Sequence, residues 1–577
     1  MHERSKVVLP PVTVFLIASA LLVGCDAPTV TESGPSATPN GPSMLITPAC
    51  AGSGGQTHAA TTITTAQRWT RATSPHRVMG GIYVNTGGLL TIEPGVVICF
   101  EPGMGIYANN GGRLHARGQD TSRIIFTARD PARGWSGLRF EGSPAISSYL
   151  TFVRIEHVAL NAVAVTTNSY HPVTLDSAVI RQSGWAVELR SPGSYMRRSR
   201  VDTTTNRNNA AIYLENGARF EQVVVRRSAG VGVRVRGSNV LILDGRVEGS
   251  GGVGLQVQTH LIHASSRGPR VVAGRSYGGE MPLPVLAKLY ATPALQDDLR
   301  GNARDTVIVL NGELRSPLTV GPRLPLLIDS WGTNVGSAGV LTAQAGASLV
   351  FRGSAGLTFN NGGRLVSRGK RGLPVRFTAD DPAEGWNGLQ FSGSAAALSY
   401  VTNTHIEHVS VNSTAIVAHN PHQVIVDSSV IRQSGRAVSL YSLNSRLSRT
   451  RVDTTLDANS PAVQVGGNVR LESTRITAPA GPGLYIGSST SVVVSCEVRG
   501  GDKEGILMNY YWVAIHNCNL VNNQGPGILN STGHNVDVKN NWWGSRSGPN
   551  SPGGDGISGP LDYTPWRTTP YVLPYVP

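Results

Sequence analysis

Short runs of three to five residues in which apolar and polar positions alternate recur along most of the chain, separated by turns of Gly, Asn and Ser. A period of two places successive side chains on opposite faces of a strand, and the turns between runs are too short for helices. Three such units are DSAVIRQSGWAV (Asp176 to Val187), RSRVDTTTNRNNAAI (Arg198 to Ile212) and DGRVEGSGGVGL (Asp244 to Leu255). The apolar anchors Val187, Ile212, Val233 and Leu255 stand 25, 21 and 22 residues apart. Two later units, CEVRGGDKEGIL (Cys496 to Leu507) and CNLVNNQGPGIL (Cys518 to Leu529), are displaced from one another by 22. A unit this short cannot bury its apolar face alone. The pattern therefore predicts stacked coils, each strand pairing with its counterparts above and below at about 4.8 Å.

A longer repeat encloses the short one. FTARDPARGWSGLRF (Phe126 to Phe140) returns 251 residues later as FTADDPAEGWNGLQF (Phe377 to Phe391), and VIRQSG and RVDTT recur at the same offset. Residues 84–257 lie on 335–508 without a gap, so the turns of the unit have little slack in length. Within the opening block, Asp130-Pro131 starts a turn and Gly134 lets the chain return beneath Trp135. Asp381, Gly385 and Trp386 are the matching residues. Because the copies exchange charge at Arg129, Arg133, Ser136 and Arg139 but keep these turn formers, the block reads as a structural corner.

These units, with their Asn-x-Gly-x-Gly turns and NNWWG at Asn540 to Gly544, resemble the right-handed parallel β-helix repeat proteins. The resemblance implies an all-β solenoid of about twenty coils of 21–25 residues, built as two homologous halves offset by 251, a rod of roughly 100 Å. The expected organisation is a signal at 1–24, a tether at 25–55, a first half at 56–265 and a second at 305–550. A Pro-rich excursion with weak helical character occupies 266–304, and a cap or tail 551–577.

Arg4 and Lys6 precede an apolar run from Val7 to Val23, the layout of a secretory signal. Leu22-Val23-Gly24-Cys25 resembles the lipobox of bacterial lipoproteins, which implies cleavage before Cys25 and acylation of that residue. The Pro, Ser, Thr and Gly that follow suit a flexible tether. The expectation is an exported monomer, held by lipid at the outer membrane or cell surface, although Asp26 resembles an inner-membrane retention signal.

Composition refines this picture. Glycine is abundant at 68 residues, and a net charge of +14 is spread along the chain as arginine rather than clustered. No zinc-ligand spacing or basic helix is present, so nucleic acid is not an expected partner, nor is a metal or cofactor. Counting two residues before each inward valine gives a column of Ser177, Ser199 and Gly245, continued by Ser428, Thr450, Cys496 and Cys518 in the second half. Cys496 and Cys518 thus sit on adjacent coils, as a disulfide or as reduced buried thiols. A Cys50–Cys99 bridge would tie the leading segment to the first coils.

Just outside that column the same count places Asp176, Arg198, Glu221 and Asp244, with Asp427, Arg449, Glu472 and Ser495 opposite. Glu221 and Asp244 form a candidate carboxylate pair about 5 Å apart, the separation retaining glycosidases use, against the alternative of a charge ladder. His157 and His408, in IEHV, are candidate acid–base groups beside Glu156 and Glu407, against the alternative of strand histidines packed on a neighbouring coil. Polysaccharide lyases and polygalacturonases are similar in fold, but their clustered carboxylates have no match here, and fold alone does not license an activity. The two functions left in play are a non-catalytic surface protein that contacts polysaccharide and a carbohydrate-active enzyme working on one solenoid face.

Overall fold

A computed structural model describes residues 48–52, 54–142, 147–168, 170–393, 396–488 and 490–574. The expected signal, Cys25, Asp26 and the tether up to residue 47 lie outside the described residues. From Gln56–His58 onward the chain winds as an all-β, right-handed parallel solenoid of about 21 turns with almost no helix. Every described strand pairing between coils is parallel and nearly all keep strict register, as with Val187↔Ile212↔Val233↔Leu255. Inward side chains of each coil stack on those of the next into one continuous core of Val, Ile, Leu, Phe and Ala.

Three sheets form the sides. In the first half the chain passes from a 10-stranded sheet to a long sheet and then to an 8-stranded sheet, once per coil. The long sheet does not stop there. Its strands run in unbroken pairing from Thr61–Ile63 through Tyr277–Pro282 and Arg304–Leu310 to Asn519–Val521, twenty in all, so the halves form one solenoid about 90 Å long. In the second half the other two sides are an 11-stranded and a 9-stranded sheet.

The two halves are not in phase. Ile124–Ala128 belongs to the 10-stranded sheet, yet its counterpart Val375–Ala379 lies in the twenty-stranded one. Likewise Leu138–Glu141 lies in the twenty-stranded sheet and its counterpart Leu389–Phe391 in the 11-stranded one. The second copy is therefore turned by one side of the prism, a third of a turn. The excursion between the halves causes this. It is shorter than 266–304, because Arg270–Val272 and Tyr277–Pro282 still stack as strands. Helix Leu283–Leu289, helix Pro293–Gln296 and the 3-10 turn Asp297–Leu299 replace the strands of one coil on the other two sides. The C-terminal boundary also moves: Ile557–Ser558 pairs with Ile528–Asn530, so the last coil extends into 551–577.

Candidate functional site

Corners decide where the predicted site residues go. One residue per coil turns left-handed at one corner: Phe152, Ser177, Arg198, Gln222 and Asp244 between the 8-stranded and 10-stranded sheets, then Asn403, Ser428, Arg449, Ser473, Ser495 and Asn517 between the 9-stranded and twenty-stranded sheets, with φ between 45° and 56°. Counting straight through such a corner slips the register by one. The strand column is Asp176–Arg197–Glu221–Leu243, and Asp244 belongs to the corner column beside Gln222. Glu221 and Asp244 are therefore not stacked partners. Glu221 instead accepts the Tyr195 hydroxyl, and Asp244 is exposed. Asp176 is clamped by Arg197 at 2.7 Å and Arg198 at 2.5 Å. Burial raises its carboxyl pKa, but the two guanidiniums outweigh burial and hold it below the ordinary aspartate value.

His157 and His408 are not strand residues either. Both are left-handed at φ 58°, in the column that holds Gln182, Thr203 and Arg227 in the first half. Each imidazole Nδ1 meets a threonine hydroxyl on the previous coil, Thr127 at 3.0 Å and Thr378 at 3.1 Å. Glu156 pairs with Arg181 at 2.6 Å and Glu407 with Arg432 at 3.0 Å, so neither forms a couple with its neighbouring histidine. Trp135 and Trp386 are fully buried, stacked on Phe100 and Phe351 at 4.0 Å, and donate Nε1–H to the carbonyls of Glu156 and Glu407 at 2.9 and 2.8 Å. Asp130 and Asp381 accept the backbone N–H groups of Ala132 and Ala383, each at 2.9 Å. Gly134 and Gly385 are left-handed, where a Cβ would strike the backbone of the next coil.

The small-residue column is Ala178, Ser199 and Gly245, then Ser429, Thr450, Cys496 and Cys518; Ser177 and Ser428 sit one residue earlier, at the corner. Past that corner the backbone N–H of one coil is taken by the side chain below it. Ala178 donates to Ser199 Oγ at 3.0 Å, Cys496 to Cys518 Sγ at 3.4 Å, and Cys518 to Asn541 Oδ1 at 2.8 Å. Both thiols point back to carbonyls, Val494 and His516, each at 3.3 Å, so the cysteines do the work of serine and remain free. Burial pushes the Cys518 thiol well above its ordinary pKa. Cys50 and Cys99 form a disulfide, with Cα atoms 5.9 Å apart.

The residues that cluster lie elsewhere, on the twenty-stranded sheet. One outward column of the first half reads Arg139–Thr166–Glu188–Tyr213–Arg234–Gln256–Glu280. Beside it Glu141, Asn168, Arg190 and Glu215 line an open cleft of about 920 Å³ with the exposed ring of Tyr170. Asn168 donates to Glu141 at 2.8 Å, Arg139 also pairs with Glu141, and Arg190 pairs with Glu188 at 2.6 Å. Burial raises the Glu141 carboxyl pKa, and the Asn168 amide and Arg139 more than offset it, leaving the group below its ordinary value.

Sequence reasoning missed this cleft because it weighed what the copies share. The signal was in what they do not share: Arg139, Glu141, Asn168, Glu188, Arg190 and Glu215 correspond to Gln390, Ser392, His419, Ser439, Tyr441 and Gly466. The second copy has an opening of about 280 Å³ at a different place, lined by Trp331, 76% exposed, with Asn334, Thr358 and Gln390. Among the described residues no group of three or more His, Cys, Asp or Glu side chains is placed to hold a metal ion. No helix there is long and apolar enough to cross a membrane.

Fold and surface together define a parallel β-solenoid that carries an open polar cleft along one side. Residues 387–543, within the second half, match the family described as right handed beta helix region. No curated protein matches the chain.

Proposed function

We propose that the protein is an exported, lipid-anchored solenoid that contacts a glycan through the first-half cleft of its twenty-stranded sheet and does not turn it over. The cleft is open, long and polar, with amide, guanidinium and phenol groups that suit hydroxyl-rich ligands. The observation that carries the reading is the neutralised charge at the cleft, where the lining Glu141 is paired with Arg139 and the lining Arg190 with the adjoining Glu188. A glycosidic general acid needs a carboxyl held protonated near neutral pH, and the lowered pKa of Glu141 is the opposite tuning. Anchoring through Cys25 and display from the outer membrane or cell surface form part of the same proposal, on the strength of the lipobox-like LVGC stretch.

The test is a glycan array probed with the purified chain, followed by turnover measurements on every hit. Binding without release of reducing or unsaturated ends is expected. The double exchange Glu188→Ser/Arg190→Tyr installs the second-half residues, which the fold already accommodates, and should lower glycan affinity at least tenfold while leaving thermal unfolding within about 2 °C. Release of new ends, or unchanged affinity in the exchanged variant, refutes the reading. Labelling with a radioactive fatty acid that is lost in Cys25→Ala tests the anchor.

A further inference from the structure

The second half opens a groove of about 480 Å³ on the same twenty-stranded sheet. Its lining includes five cations, Lys370, Arg371, Arg376, Arg432 and Arg451, but one carboxylate, Asp453. Asp453 pairs with Arg451 at 2.5 Å, and Glu407 beside the groove pairs with Arg432 at 3.0 Å. With Arg451 and Arg432 paired in this way, Lys370 and Arg376 supply two further positive charges. Arg376 and His405 stand next to each other on adjacent strands, and Asn403 and Ser428 add neutral polar side chains. Burial lowers the His405 pKa; Glu407 pulls it up, and Arg376 and Arg432 press it further down.

The first half shows what closes such a groove. There Phe152 occupies the place of Asn403 and Ile125 that of Arg376. Arg123 lies over the Phe152 ring at 5.5 Å, pairs with Asp120 at 2.8 Å and donates to the Ser177 carbonyl at 2.6 Å. In the second half Pro374 replaces Arg123 and Arg371 replaces Asp120, so the plug and its counter-charge are both gone and cationic side chains surround the space. Duplicate positions in one chain thus differ, with the Phe152 ring and the Arg123–Asp120 pair in the first half and a basic groove in the second.

We propose that this groove is a binding site for a phosphate group carried on a sugar, a second contact for the glycan read by the first-half cleft. Guanidinium forks match the oxygens of phosphate, and two charges beyond the paired ones suit a dianion better than a single carboxylate. The volume exceeds what phosphate alone fills, leaving room for the ring that bears it. The one-side rotation of the second half brings the groove onto the sheet that holds Glu188, eight strands further along, about 40 Å away. The proposal rests on the glycan reading for its partner, but the groove is tested separately.

Calorimetric titration of the full chain with glucose 6-phosphate, inorganic phosphate, glucuronate and glucose, in low and moderate salt, is the first experiment. Glucose 6-phosphate should bind at least tenfold more tightly than glucuronate or glucose, weaken with salt, and exceed inorganic phosphate in affinity. The exchange Arg376→Ile/Asn403→Phe, which restores first-half residues, should reduce that binding at least tenfold with an unchanged unfolding temperature. Equal binding of glucuronate, or full binding by the exchanged variant, overturns the proposal. So does a single-stranded oligonucleotide or a phosphatidylglycerol vesicle that occupies the groove more tightly than the sugar phosphate. Phosphate binding at the groove with no glycan bound at the first-half cleft would sink the function proposed above and leave the groove standing.

Discussion

Replacing Trp135 by alanine tests the corner at its most loaded point. The indole is fully buried, stacked at 4.0 Å on Phe100 and within 6.4 Å of Phe126, so truncation empties space between three successive coils. Burying an indole removes roughly 200 Å² from water, which at about 25 cal/mol/Å² sets an upper figure near 5 kcal/mol. Large aromatic truncations in cores cost about 3–5 kcal/mol, and the Glu156 carbonyl also loses its 2.9 Å donor. A loss of about 4 kcal/mol is expected. In a solenoid each coil touches its neighbours, so the loss should be local rather than global. Hydrogen exchange read by mass spectrometry should therefore quicken about a thousandfold at Val97–Phe100, Ile124–Ala128 and Val153–Glu156, and not at Ser348–Phe351, Val375–Ala379 and Thr404–Glu407. Trp386→Ala should give the mirror pattern. A cost below about 1 kcal/mol, or protection lost equally in both halves, refutes the corner as the unit of stability.

Two further outcomes follow from buried polar groups. His422 is fully buried, bonded to Ser399 Oγ at 2.8 Å, and burial lowers its pKa to about 4. The unfolded chain takes up that proton near pH 6.5 and the folded chain does not, so stability is complete above pH 6.5, falls by roughly 3 kcal/mol as pH drops towards 4, and then levels. Urea unfolding across this window should show the slope, reduced in His422→Gln. At the thiol column, Cys518→Ser should keep the bond from the Cys496 N–H and cost under about 1 kcal/mol, whereas Cys518→Val should orphan that N–H at about 1–3 kcal/mol in the same assay.

The solenoid could be read from sequence because its signal is periodic and local: β-branched alternation, short turns and a spacing near 22 residues each point to stacked strands, and stacking fixes the inward columns. Glu221 and Asp244 were paired wrongly for an equally local reason. Alternation is a rule for extended backbone, and the left-handed residue at each corner breaks it without leaving a mark in composition, since Ser, Arg, Gln and Asp all occupy that place. The histidines of IEHV depart from alternation in the same way, each being a left-handed residue that follows a strand. In the small column, Ser, Thr and Cys share a hydrogen-bonding job, which no spacing reveals but a stacked backbone N–H does.

The cleft and the groove were hidden by a longer-range effect. Aligning the copies residue by residue suggests that equivalent faces point the same way, and on that assumption the charged positions of the first half and the basic positions of the second belong to different sides. The helical coil at Leu283–Leu289 and Pro293–Gln296 advances the chain by one side before the second copy begins. Duplication alone would have repeated one surface along the rod. Duplication with that phase shift sets two surfaces that began as different sides in line on one continuous sheet, Glu188 in one half and Arg376 in the other. Ser439 accordingly stands on the 11-stranded sheet where Glu188 stands on the twenty-stranded one, and Ile125 stands on the 10-stranded sheet where Arg376 stands on the twenty-stranded one. The differences between the copies thus follow the sheets rather than the sequence alignment.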